Sequence, residues 1–140
     1  MKVIVLPETK LDGYQTYRSD RNPRSSKKIT DGCCLIAVKD TFFSSQIPTA
    51  DDGVEHLFIK VSNKFSKIIV ASCYMSKECN LDKYVKHVRT AEQIATRFTN
   101  FGMLVIGDYN LSGVNWHPND DIFYDTRYAT RQDIVGKVIY

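Results

Sequence analysis

Three apolar runs in this sequence end on residues that could do chemistry. "MLVI" (103–106) leads into Gly107, Asp108, Tyr109 and Asn110; "VIVL" (3–6) leads through Pro7 into Glu8; "IIVASC" (68–73) leads into Tyr74. Asp108 could bind a hard cation such as Mg²⁺, which favours carboxylate oxygen and usually keeps several waters. Asn110, two residues on, points the same way if the chain stays extended, and its amide could donate to a phosphate oxygen. Gly107 lets the backbone turn there or approach another group closely. Each signal has an ordinary counterpart. Gly, Asp and Asn are common turn residues, Glu8 can be a solvated loop or helix-start charge, and Tyr74 a half-buried aromatic with a wet hydroxyl. Together they say more, because parallel or mixed sheets gather strand ends on one rim, where active sites form.

The elements that must position these residues follow from periodicity. Val3–Leu6, 33–39 ("CCLIAVK"), 56–61 ("HLFIKV"), 67–74 ("KIIVASCY") and 103–106 read as strands. "SNKFS" between the third and fourth predicts a hairpin. Ile47–Gly53 reads as a turn-rich connection. From Leu81 the period changes: Leu81, Tyr84, Val85, Val88, Ala91, Ala95 and Phe98 fall on one helical face. Asn80 suits the N-cap, Asp82 the first turn and Gly102 the C-terminal stop. Several strands, one helix and another strand predict an α/β or α+β sandwich, not a doubly wound repeat.

The 140 residues suffice for one domain with a real core and hardly for two. A net charge of +3 is too small to specify a nucleic-acid partner, so any such preference must come from local clustering. The polar stretch "YRSDRNPRSSKKITDG" (17–32) supplies a cluster: Arg18, Arg21, Arg24, Lys27 and Lys28 on an expected loop. It could contact DNA phosphates or simply solubilise the surface. The four cysteines lack zinc-site spacing, and Cys33 and Cys34 would point to opposite faces of a strand. Free thiols in a reducing compartment follow, with an intracellular protein, nuclear or cytoplasmic. The apolar run at the N-terminus is too short for a signal peptide, and no segment is long enough to span a bilayer. His56 lies in a strand run and His87 on the helix, both read as structural or solvated.

"PETKL", "GYQTYRSDRN" with "DGCCLIAVK", "IIVASCYMSKE" and "MLVIGDYNLSGVNW" occur in an order and spacing that resembles the endonuclease/exonuclease/phosphatase superfamily. More narrowly, the chain resembles the apurinic-endonuclease-like domain of non-LTR retrotransposons over about residues 3–116, with 117–140 a divergent tail. The resemblance implies a four-layered α/β sandwich, two mixed sheets packed face to face with outer helices, present in part. It implies phosphodiester hydrolysis with Mg²⁺ or Mn²⁺ and nicking of DNA, in a parent protein that also carries a reverse transcriptase domain. It places the metal ligand on Glu8 and the residue that orients the scissile phosphate on Tyr74. Asp108 would align or activate the attacking water, and Asn110 would hold the phosphate. Such a site works because a metal neutralises charge developing on the phosphate, a base activates water and neutral donors fix geometry.

Two parts of the family pattern are not found: a first-strand Asn and a final Asp-His pair. None of His56, His87 and His117 follows an aspartate. A family turn of three glycines reads Gly32-Cys33-Cys34, which adds bulk where small residues are expected. Groups that act as a unit lose most of their effect when one is missing. The resemblance therefore leads to a domain truncated at both ends and weakened or inactive as a nuclease. The alternatives are a catalytically dead nucleic-acid-binding remnant and a hydrolase of small phosphoesters.

Overall fold

The computed structural model describes residues 11–20, 33–77 and 79–110. The strand expected at Val3–Leu6 and the tail 117–140 lie outside the described residues. Among these residues the order is β1 (Tyr14–Asp20), β2 (Cys33–Lys39), β3 (Phe43–Ile47), β4 (Glu55–Ser62), β5 (Lys67–Tyr74), α1 (Leu81–Arg97) and β6 (Gly102–Asp108).

β1 and β2 form an antiparallel pair, and β3-β4-β5-β6 form a four-stranded sheet in that spatial order. Within the larger sheet β3, β4 and β5 are antiparallel, while β5 and β6 run parallel with α1 as the crossover. The sheet is therefore mixed, and the fold is α/β with two sheets, as the sequence predicts.

β4 sits at the centre because its "HLFIKV" run is apolar on both faces. Leu57, Ile59 and Val61 meet Cys34 and Val38 of β2 between the two sheets. Phe58 faces the other way, joining Ile47, Ile69, Ala71 and Ile94 under α1. Leu57, Phe58 and Ile59 are almost fully buried, each worth about 1.5–3 kcal/mol over an exposed side chain. The described residues thus stack as three layers: small sheet, large sheet, helix. Cys34, one of the two residues that add bulk in Gly32-Cys33-Cys34, fits within the inter-sheet core, its thiol 3.3 Å from the Glu55 carbonyl. Cys34, Cys73 and Cys79 form no disulfide among the described residues.

The predicted hairpin joins β4 to β5. The Asn63 carboxamide oxygen accepts the backbone N–H groups of Phe65 and Ser66 at 2.8 and 2.7 Å, closing the turn. The Asn80 side chain caps α1 by accepting the Lys83 N–H, and Asp82 pairs with Lys86 one turn on at 2.7 Å.

Three expectations change. Tyr14–Asp20, placed partly in a basic loop, is strand β1, held by seven residues of register with β2. β3 occupies Phe43–Ile47, ahead of and overlapping the expected connection. The helix turns Tyr84, His87, Val88 and Ile94 inward, while Leu81 and Ala95 are exposed. The stripe runs one residue earlier at its C-terminal end, and it includes a histidine.

Candidate active site

The parallel register of β5 and β6 brings two predicted site residues side by side. Cys73 pairs with Gly107, and Tyr74 with Asp108, the last residue of each strand. The ladder extends one step further, with the Met75 N–H donating to the Asp108 carbonyl at 2.8 Å. Gly107 is required by that approach: a Cβ there would run into the carbonyl oxygen of Cys73. Its role is close contact between strands, and its φ is not positive.

The chain turns immediately afterwards. Asn110 is the one described non-glycine residue with positive φ, at 44°, a conformation Asn tolerates better than most. Its backbone N–H donates to the Asp108 carboxylate at 3.1 Å, and its side-chain amide donates to the Met75 carbonyl at 2.7 Å. The condition for Asn110 to point the same way as Asp108, a chain that stays extended, is therefore not met. One amide hydrogen is used to tie the turn to the strand end below, and an NH₂ group has two. The Asp108 side chain stays exposed, and Tyr74 is half-buried against the inter-sheet core.

Arg18 lies within β1, opposite Leu35, and not in a loop. Glu8, Arg21, Arg24, Lys27 and Lys28 lie outside the described residues. A hard cation takes oxygen ligands and water, and the exposed oxygens of Asp108 are donors of that kind at the rim. Among the described residues no group of three His, Cys, Asp or Glu is placed to hold a metal.

Sequence reasoning missed the polar groups beneath the rim. Tyr109 turns inward, its hydroxyl 3.0 Å from Nε2 of His87. His87 Nδ1 stands 3.2 Å from His56 Nδ1, and the Tyr84 hydroxyl donates to the Tyr109 carbonyl at 2.7 Å. Burial lowers the pKa of His87 to about 4, helped by the nearby His56. Burial also lowers that of His56 against the pull of Asp52, and it raises those of Cys73 and Tyr109. The signal was present in the helix spacing: positions 84, 87, 91 and 94 form one stripe, with His87 on it.

A small antiparallel sheet over a mixed sheet, backed by a crossover helix with a polar rim at the parallel strand ends, is a layered α/β fold. Among solved structures, the endonuclease domain of TRAS1, a telomere-specific non-LTR retrotransposon, is similar with a TM-score of 0.59 at 13% identity. The match covers 91% of this chain and 52% of that one, so the chain spans about half the length of that domain. At this identity the likeness is one of fold. No protein-family model and no curated protein matches the chain. No helix among the described residues is long and apolar enough to cross a membrane.

Proposed function

We propose that this chain is a fragment of a metal-dependent phosphodiesterase, a DNA-nicking endonuclease domain of retrotransposon type, weakened as a nuclease in this form and centred on the β5–β6 rim. One observation carries the reading: the parallel register sets Tyr74 beside Asp108, with Asn110 folded back on the same turn. The fold shared with the TRAS1 endonuclease domain supports the same class.

In this reading Glu8 holds Mg²⁺ or Mn²⁺, which neutralises charge developing on the phosphate. Asp108 aligns the attacking water and takes its proton. Tyr74 orients the scissile phosphate through its hydroxyl. The second amide hydrogen of Asn110 holds a phosphate oxygen while the first keeps the side chain on Met75. Arg18, Arg21, Arg24, Lys27 and Lys28 contact the DNA backbone and give affinity that falls with salt.

The test is nicking of supercoiled plasmid with Mg²⁺ or Mn²⁺ against EDTA, with Asp108→Ala beside the native chain. Metal-dependent nicking that the variant loses is the expected result. No nicking above the variant, from protein shown to be folded, refutes hydrolysis. Salt-dependent DNA binding without metal would then make the chain a nucleic-acid-binding remnant.

A further inference from the structure

A buried polar chain runs beneath the rim and ends on it. His56 of β4 and His87 of α1 are 4% and 1% exposed. Their rings are joined Nδ1 to Nδ1 at 3.2 Å. From His87 the chain continues through Nε2 to the Tyr109 hydroxyl at 3.0 Å. At its other end His56 Nε2 is buried without a hydrogen-bond partner among the described residues, and Asp52 Oδ1 stands 3.9 Å away. That carboxylate oxygen also accepts the Val54 N–H at 3.0 Å, which holds it in place.

The proton positions follow from these contacts. A neutral imidazole carries one N–H and one bare nitrogen. Two Nδ1 atoms at hydrogen-bond distance share one proton, so one ring has its hydrogen on Nδ1 and the other on Nε2. If His56 were the Nδ1–H ring, its bare Nε2 would face the Asp52 carboxylate, lone pair towards negative charge. With the hydrogen on Nε2 of His56 that repulsion becomes attraction. His87 then donates from Nδ1 to His56, and its own Nε2 is left as an acceptor. The Tyr109 hydroxyl is the donor placed to fill it.

We infer that His87 is a positioning residue for the rim: its bare Nε2 accepts the Tyr109 O–H and locks the turn carrying Asp108 and Asn110 against α1. Tyr109 stands between those two residues, and it is held from α1 twice, by His87 at the hydroxyl and by Tyr84 at the carbonyl. Without the hydroxyl bond, the turn keeps the Tyr84 contact but loses its direction. The catalytic consequence rests on the phosphodiesterase reading above; the proton arrangement and the locking do not.

Two measurements at neutral pH test this on the intact chain. Two-bond ¹⁵N–¹H correlation spectra of ¹⁵N-labelled protein report which imidazole nitrogen is bare. The expected pattern is bare Nε2 on His87 and bare Nδ1 on His56; the reverse pattern overturns the inference. Amide hydrogen exchange at Met75, whose N–H is bonded to the Asp108 carbonyl, reports opening of the turn. Tyr109→Phe keeps the ring and should exchange there at least about tenfold faster, with the β4 amides unchanged. His87→Gln, which retains an acceptor, should exchange more slowly than His87→Leu. Equal rates at Met75 in the native chain and Tyr109→Phe overturn the locking role even if the tautomers are as expected. Where the native chain nicks DNA, the same variants lower kcat with KM retained. A native chain that does not nick refutes the phosphodiesterase reading and leaves both spectroscopic outcomes decisive.

Discussion

Acid should unfold this protein through its buried histidine pair, and His87→Gln should remove much of that sensitivity. His87 titrates at 6.5 in a solvated chain and at about 4 in the fold, because burial penalises its charged form. The unfolded chain therefore binds the proton more readily, and stability falls with pH between those two values. Above about pH 6.5 the contribution is intact; below about pH 4 it is fully lost. At about 1.4 kcal/mol per pH unit the penalty reaches about 2 kcal/mol by pH 5 and about 3 kcal/mol by pH 4. His56 shifts in the same direction and adds to the slope. Against a domain stability of about 5–15 kcal/mol this is a large fraction. Carboxylates titrate in the same window, so the comparison with the variant isolates the imidazole. The assay is urea unfolding followed by tyrosine fluorescence or circular dichroism at several pH values. His87→Gln should be the less stable protein near neutrality, and the gap should narrow by about 3 kcal/mol on reaching pH 4. Parallel pH profiles for the two proteins would refute a buried neutral His87.

Other perturbations separate the structural residues of the rim from the chemical ones. Gly107→Ala should destabilise by about 1–3 kcal/mol in urea unfolding, because the new Cβ meets the backbone of Cys73 in a paired strand and not a flexible side chain. Asp108→Ala should unfold within about 0.5 kcal/mol of the native protein while abolishing metal-dependent nicking, since the side chain is exposed. Asn80→Ala should cost about 1 kcal/mol, seen as a lower urea midpoint, through loss of the bond from the Lys83 N–H.

What could be read from the sequence was what short-range pattern determines. The helix, its Asn80 cap and the β4–β5 hairpin depend on periodicity and on turn residues a few positions apart, and all three are present in the structure. The convergence of Tyr74 and Asp108 was legible for a related reason: two apolar runs flanking one helix make a parallel pair, and parallel pairs align their ends. β1 was hidden because "YQTYRSD" has the β-branched and aromatic content of a strand but carries charge and no buried run. Its strand state depends on pairing with β2, more than a dozen positions away. β3 is an edge strand among the described residues, with one buried residue, Ile47, too little for an apolar pattern to reveal. The His56–His87 contact joins a strand to a helix across 31 positions, and nothing local to either residue announces the other. Asn110 could be placed only conditionally, because whether its side chain follows Asp108 depends on capture by the Met75 carbonyl, 35 positions away.

That capture also bears on how a turn and a catalytic rim can be the same four residues. In Gly107-Asp108-Tyr109-Asn110 three positions are committed to structure. Gly107 admits the Cys73 backbone, Tyr109 bonds to α1 at both its carbonyl and its hydroxyl, and Asn110 uses its amide on Met75. The turn reading accounts for all of these. It does not require an acid at Asp108, whose one side-chain bond among the described residues, from the Asn110 N–H, an uncharged Ser or Asn could also accept. The carboxylate is thus the part of the motif that turn geometry leaves unexplained, and it is also the part that faces solvent beside Tyr74. Exchange of Asp108 for Asn therefore separates the two readings cleanly. If the turn alone matters, Asp108→Asn keeps every property of the native chain. If the rim is chemical, it keeps the fold and loses metal-dependent nicking, because an amide cannot take a proton from water.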